Sequence, residues 1–256
     1  MIDVIVCGAY GRMGQEVIKA VSKESDMRVV GGIDVKGVGE TVFGVHIRED
    51  LEAVIRETNP TAVVDFTRRD AALKNIKIAL ENNVTMIVGT TGFSQDDIKE
   101  IEESVMSYRG NILIAPNFAI GAVLLMKCAE LVAPFMENAE IIELHHDGKL
   151  DSPSGTAIAT ANAISNHKRF YPAPHSSDAR GLNVEGIAIH SVRLPGLVAH
   201  QEVIFGALGQ TLTLRHDSIS RESFMPGVIY ALKNIQNIKG FVYGLDKLLF
   251  PKGLVV

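Results

Sequence analysis

Two histidines, a lysine and a helix-opening turn share one short stretch of the chain: His145, His146, Lys149 and Pro153-Ser154-Gly155-Thr156. Imidazole and ammonium groups are proton carriers. Ser154 is of the type that caps a helix, and Gly155 and Thr156 then present N–H groups with no intrahelical acceptor. Such a helix start receives anions, and Lys149 adds a full positive charge. The bland alternative is a well-capped helix with a surface lysine. The chemical reading is proton transfer to a small substrate that carries a carboxylate or phosphate.

The elements around this stretch decide how the side chains are aimed. From Ala139 the sequence alternates as a strand does, and Ala157 to Ile164 suits a helix. Alternation puts His145 on a face with Glu143 and Ile141, and His146 on the opposite face with Ile142 and Leu144. The two imidazoles are therefore not set to chelate one ion. Neither H-E-x-x-H nor a cysteine cluster occurs, and no metal is expected. Either the histidines hold different posts at the strand end, one toward a ligand, or they are satisfied structural residues.

A second candidate lies at the N-terminus. Ile2 to Val6 is a short apolar run suited to a strand buried on both faces. It enters Gly8-Ala9-Tyr10-Gly11-Arg12-Met13-Gly14, and a helical pattern follows from Gln15 to Val21. Strand, glycine turn and helix together are the setting of a dinucleotide fingerprint, although the spacing is G-x-x-G-x-x-G. The next apolar run, Met27 to Ile33, ends in Asp34. That is where such folds place the acid that binds the adenosine ribose. An acid there favours NAD, whereas Lys36 could pair with a 2′-phosphate.

The alternation goes on: a helix over 51–58, a strand over 62–66, a helix capped by Asp70, a strand over 86–88, a helix opened by a Ser94/Asp97 capping box, and a strand over 112–115. This predicts an α/β fold with a doubly wound parallel sheet. Ligands bind such sheets at the carboxyl ends of the strands. Phe66-Thr67, Gly89-Thr90-Thr91 and Ala115-Pro116-Asn117-Phe118 fall there, as candidates for the cofactor's ribose and nicotinamide. After Asn117 the pattern changes. A long apolar helix over 120–135 precedes strands over 139–146, 186–194, 200–206 and 210–216, which predict a mostly antiparallel sheet in a separate α+β domain. Between them, 166–183 reads as an exposed loop with Pro172 and Pro174. A last helix is expected over 221–237. The expected division is 1–117 for the dinucleotide, completed by 226–256, and 118–225 for the substrate and oligomer contacts. One face of the second sheet either meets other subunits or is covered by its own helices.

Composition narrows the classes. Of 256 residues, 46% are hydrophobic and 21% charged, with net charge −5. The acidic balance argues against nucleic acid as a partner. No apolar run approaches the roughly 18 residues of a membrane span. The two cysteines, Cys7 and Cys128, lie in apolar surroundings and are expected to be buried free thiols of a cytoplasmic protein.

The motifs Gly8-x-x-Gly11-Arg12-Met13-Gly14, Gly89-Thr90-Thr91-Gly92 and Glu143-x-His145-His146-x-x-Lys149-x-Asp151-x-Pro153-Ser154-Gly155-Thr156-Ala157 closely resemble those of the dihydrodipicolinate reductase family, in order and over nearly the whole chain. The resemblance implies an oxidoreductase that uses NADH or NADPH to reduce 4-hydroxy-tetrahydrodipicolinate in lysine and diaminopimelate synthesis. It implies proton donation by His145 and Lys149, and substrate binding by His146, Ser154, Gly155 and Thr156. It implies cofactor binding at Gly8, Ala9, Tyr10, Gly11, Arg12, Met13, Asp34, Gly89, Thr90, Thr91, Ala115, Pro116, Asn117 and Phe118. A homotetramer assembled through the C-terminal sheet is also implied. Members that use NADPH well often carry arginine just after the acid of the second strand. Here Val35 stands in that place, so NADH is expected to serve at least as well as NADPH. The alternatives are a related reductase of another small amino or keto acid, or a non-catalytic dinucleotide-binding sensor.

Overall fold

The computed structural model describes residues 1–171 and 178–251. They form two compact units: Met1–Phe118 with the chain from Phe224 onward, and Ala119–Ser223.

The first unit opens with β1 (Ile2–Cys7), α1 (Arg12–Ser22) and β2 (Met27–Ile33). A small antiparallel hairpin, β3 (Thr41–Val42) and β4 (Val45–Arg48), follows. It escapes sequence reading because its strands are too short to show periodicity. The βα alternation then resumes with α2 (Leu51–Thr58), β5 (Ala62–Asp65), α3 (Arg69–Glu81), β6 (Thr85–Val88), α4 (Gln95–Tyr108) and β7 (Ile112–Ile114). Strand order β7-β6-β5-β1-β2-β4 is parallel throughout. The order reverses between β1 and β5, so the ends of these two strands flank the crevice where open α/β sheets bind ligands. Strands buried on both faces carry Val, Ile and Met without alternation, as β1, β5 and β6 do. The capping box is present: Ser94 Oγ accepts from Asp97 N (3.1 Å), and Asp97 Oδ2 accepts from Ser94 N (2.6 Å). The expected Asp70 cap is not. Arg68 holds the cap position of α3 without a side-chain bond, and Asp70 sits in the first turn, paired with Arg69 at 2.9 Å. A carboxylate there still favours the helix start through the helix dipole.

The second unit contains α5 (Ile120–Val132), β8 (Asn138–His145), α6 (Gly155–Ser165), β9 (Leu182–Val184), β10 (Ile187–Arg193), β11 (Ala199–Ala207) and β12 (Gln210–Ser218). The sheet order is β12-β11-β8-β10-β9, antiparallel except for β8 with β10. The strand carrying His145 is thus the central strand. β9 and a 3₁₀ turn at Asp178–Arg180 occupy part of the expected 166–183 loop. Its Pro172 and Pro174 lie outside the described residues. The core under the sheet gathers Leu125, Ala129, Ile141, Ala161, Ile164, Val203 and Phe205. On the other face Ile142, Leu144, Val192 and Ile204 are only half-buried.

Cys7 is buried, but Cys128 is exposed, against expectation. It lies at helical spacing with the exposed Leu124 and Leu131, on a face of α5 that turns away from the core. Apolar neighbours in sequence made it look interior, but α5 is apolar on both sides.

After the second unit the chain returns to the first through α7 (Met225–Lys233), β13 (Phe241–Tyr243) and α8 (Leu245–Leu249). β13 extends the parallel sheet beside β7. The single helix expected over 221–237 is instead a 3₁₀ turn at Arg221–Phe224, α7, and another at Ile235–Asn237. Pro226, with no N–H to give the preceding turn, is suited to a helix start rather than a helix middle.

Candidate active site

In the first unit the glycine loop joins β1 to α1. Gly8 and Ala9 donate to the Ile33 carbonyl (2.8 and 3.1 Å), and Gly11 N donates to the Gly8 carbonyl (2.9 Å). Gly8 has φ +79°, and a Cβ there would stand 2.5 Å from the Phe66 carbonyl oxygen. A Cβ on Gly14 would stand 2.1 Å from the Gly8 carbonyl oxygen. Both clashes are with backbone, so neither position tolerates a side chain. Gly11 caps α1 without a side chain, which leaves the first-turn N–H groups of Arg12 and Met13 open to an anion. The loop therefore has the form a pyrophosphate needs.

Asp34 accepts from Tyr10 N through Oδ2 and from Lys36 N through Oδ1, both at 3.0 Å. The acid assigned to the ribose also fastens the glycine loop to the end of β2. Each oxygen keeps a lone pair for a ribose hydroxyl. The Tyr10 hydroxyl donates to Glu40 at 3.2 Å, so two carboxylates bracket Tyr10.

The neighbouring strand ends carry a group that sequence reading missed. Asp65, fully buried at the end of β5, accepts through Oδ1 from Thr67 N (2.9 Å), Thr67 Oγ1 (2.7 Å) and Thr90 Oγ1 (2.7 Å). Its Oδ2 accepts from Asn75 Nδ2 at 2.8 Å. Thr67 N also donates to Thr90 Oγ1 at 2.9 Å. One carboxylate thus locks the loop after β5 to the loop after β6. The available signal was a lone acid in the apolar run Ala62–Phe66, since a buried carboxylate needs partners.

The expected cofactor residues divide accordingly. Thr90, Ala115 and Phe118 are buried, and the Thr90 hydroxyl is committed to Asp65. Thr91 and Pro116 are exposed. Phe66 and Phe118 pack with ring centroids 5.8 Å apart.

In the second unit His145 ends β8. Its Nδ1 bonds Glu143 Oε2, on the face that alternation assigns to both. Glu143 is fully buried and bidentate with Arg193: Nη1 to Oε2 at 2.9 Å and Nη2 to Oε1 at 2.7 Å. Oε1 also accepts from Ser154 N at 3.3 Å. Arg193 Nη2 reaches the Asp151 carbonyl at 2.8 Å, while its buried Nε has no acceptor among the described residues. Arg193 is a second residue that the sequence did not disclose. His146 lies just past the strand, and its carbonyl accepts from Lys149 N at 3.1 Å. Lys149 Nζ binds both oxygens of Asp151 at 2.7 Å. Ser154 caps α6 as expected, with Oγ accepting from Ala157 N at 3.2 Å. Nothing lies within 4 Å of where a Gly155 Cβ would be, so the helix start is open to a ligand. Below it, Gln201 Nε2 donates to Thr160 Oγ1 and Thr160 Oγ1 to the Thr156 carbonyl, both at 2.8 Å.

Burial raises the Glu143 carboxyl, but hydrogen bonds from His145, Arg193 and Ser191 outweigh it and hold the group at about 2. A carboxyl depressed on folding stabilises the fold above its unfolded value, and the effect is lost as pH falls through its folded value. The second unit is therefore expected to lose on the order of 3 kcal/mol between about pH 4.5 and pH 2. Hydrogen exchange of the β8 and α6 amides, corrected for its intrinsic pH dependence, reads this. Protection unchanged across that window would show that Glu143 does not ionise as described.

Residues 2–118 match the family model described as dihydrodipicolinate reductase, N-terminus, and residues 121–249 match the one for its C-terminus. The chain is 48% identical over 258 residues to a 4-hydroxy-tetrahydrodipicolinate reductase of Dehalococcoides mccartyi, covering 97% of this chain and 98% of that protein. The protein of the same name from Carboxydothermus hydrogenoformans is 47% identical over 263 residues, covering 98% of this chain and all of that one. Among solved structures, the dipicolinate-bound dihydrodipicolinate reductase from Paenisporosarcina sp. TG-14 is 40% identical with a TM-score of 0.85, covering 97% of this chain and 99% of that one.

Proposed function

The chain belongs to the dihydrodipicolinate reductase family, and on that premise we propose that it reduces 4-hydroxy-tetrahydrodipicolinate to tetrahydrodipicolinate with NADH or NADPH. The observation that carries the reading is the hydrogen-bonded set His145–Glu143–Arg193 beside an open, capped helix start, in a chain whose other unit carries a dinucleotide loop. In the reaction a hydride and a proton enter the substrate and water leaves.

The glycine loop, Asp34 and the strand-end loops at Gly89–Thr91 and Ala115–Phe118 hold the dinucleotide. When bound, the reduced nicotinamide supplies the hydride. The N–H groups of Gly155 and Thr156 take a substrate carboxylate, with Ser154 holding the helix start in shape. His146 contributes a second contact to the substrate. Lys149 and His145 deliver the proton, His145 from Nε2 after that nitrogen has taken one up. Lys149 has three N–H donors and spends two on Asp151, which leaves one for substrate. A sensor without catalysis would have no use for this set, and a reductase of another acid would not call for the whole 143–157 motif.

The test is a coupled assay in which pyruvate and aspartate semialdehyde pass through the preceding synthase while NAD(P)H absorbance is followed. Absence of oxidation above background would exclude the reading. Val35, the single Lys36 and the acids Asp34 and Glu40 make NADH at least as good a donor as NADPH. An NADPH advantage above about tenfold in kcat/KM would refute that.

A cytoplasmic homotetramer completes the reading. The half-buried Ile142, Leu144, Val192 and Ile204 on one face of the second sheet support assembly with other copies. The two free cysteines suit a reducing compartment. Among the described residues no helix is long and apolar enough to cross a membrane. Light scattering coupled to size exclusion reads the subunit count, and a monomer would remove this part.

A further inference from the structure

Around the 143–157 stretch the hydrogen bonds converge on Glu143, not on a histidine or the lysine. Its two oxygens receive His145 Nδ1, both Nη groups of Arg193 and the backbone N–H of Ser154. An ionised carboxylate only accepts hydrogen bonds, so the Nδ1 facing it must carry the proton. In neutral His145 that leaves Nε2 as the bare nitrogen. The same carboxylate reaches the helix start that holds the anion site, and Arg193 reaches the turn before it through the Asp151 carbonyl.

A buried ion pair adds little net stability compared with apolar side chains of equal volume. What this pair supplies is aim. Arg193 presents a planar fork that fits a carboxylate two-fold. It fixes the plane of the Glu143 carboxylate, and that plane fixes the imidazole. We propose that Glu143 and Arg193 form a positioning pair: they hold His145 in the Nδ1–H tautomer with Nε2 toward substrate, and they tie the 151–157 turn to the same carboxylate. This rests on the reductase reading of the site. The pair touches neither substrate nor cofactor in that reading, and acts through His145 and Ser154.

The test has two arms on the full-length protein. In the first, nitrogen-15 NMR of histidine-labelled wild type, with His145 assigned from a His145→Gln spectrum and the pH raised until the ring is neutral, is expected to show a protonated Nδ1 and a bare Nε2. In the second, Glu143→Gln is expected to lower kcat by about 100-fold, as loss of an outer partner of a working histidine does. Its KM for NADH should stay unchanged, and the tautomer signature should be lost. Arg193→Lys, which keeps the charge but not the fork, should fall between, near tenfold. A folded Glu143→Gln protein that kept kcat and the Nδ1–H signature would overturn the proposal. Should that variant not fold, an Nε2–H tautomer in the wild type would overturn it alone. A wild type with the expected tautomer but no reductase activity would instead defeat the reading of the reaction and leave the geometry standing.

Discussion

Lys149→Ala is expected to lower kcat by roughly 100- to 10,000-fold, the range over which a positioned proton donor contributes. Stability should change by less than about 1 kcal/mol, because the Lys149–Asp151 pair is solvent-exposed on its Asp151 side and such pairs contribute little. KM for NADH should not move, since Lys149 belongs to the unit that lacks the glycine loop. Lys149→Arg should not restore the rate. A guanidinium keeps the charge but does not give up its proton in the working pH range, so it separates proton donation from charge attraction. Steady-state kinetics on the three proteins with matched melting curves decides. Near-wild-type kcat in Lys149→Ala would remove Lys149 from the proton path. Rescue by arginine would reduce its part to attracting the substrate's carboxylates.

Local signals were legible in the sequence, and long-range ones were not. The Ser94/Asp97 capping box and the Ser154 cap are properties of a few consecutive residues, and both are present. The shared face of Glu143 and His145 follows from the two-residue period of a strand. Arg193 could not be found this way. It meets Glu143 only because β10 lies beside β8 in parallel, with Arg193 in register with His145, and nothing within either strand states that pairing. Asp65 was concealed differently. It lies inside the apolar run Ala62–Phe66, which reads simply as a strand, yet it is fully buried and draws its partners from three elements. Cys128 misled because α5 is apolar on faces that the core does not cover. Broken elements, such as the chain after Arg221, were smoothed into one helix because apolar periodicity runs through 3₁₀ turns as well as α-helix.

The two buried carboxylates, Asp65 and Glu143, share a design. In each unit a fully buried carboxylate at or near the carboxyl end of a strand gathers neighbouring loops: Asp65 those after β5 and β6, which the proposed function gives to the dinucleotide, and Glu143 the 151–157 turn, which it gives to the substrate. Each has backbone N–H groups among its donors, so each shapes main chain. Buried carboxylates arranged in this way set loop geometry, from one layer behind the more exposed side chains of the same loops.

That design makes Asp65 the site of the second large effect. Asp65→Asn preserves volume but turns one acceptor into a donor. If the new amide nitrogen faces Asn75 Nδ2, donor meets donor. If it faces Thr67 and Thr90, the hydroxyls can rotate away but the Thr67 N–H cannot. Either way the network loses an acceptor and must rearrange, with the Asn75 amide turned over or Thr67 N left to Thr90 Oγ1 alone, at a cost of about 1–3 kcal/mol. The loops after β5 and β6 should loosen, and NADH affinity should weaken by about tenfold. Asn75→Asp alone should also destabilise, because it sets two carboxylates against each other where donor and acceptor now stand 2.8 Å apart. The double variant Asp65→Asn/Asn75→Asp is expected to regain most of both losses. The amide introduced at position 65 can donate to the carboxylate introduced at position 75, while its carbonyl oxygen still accepts from Thr67 and Thr90. Urea unfolding and NADH fluorescence titration on the four proteins close the cycle. Additive losses in the double variant would show that Asp65 serves the fold through its charge alone. Recovery of stability without recovery of NADH affinity would detach the network from the cofactor loops.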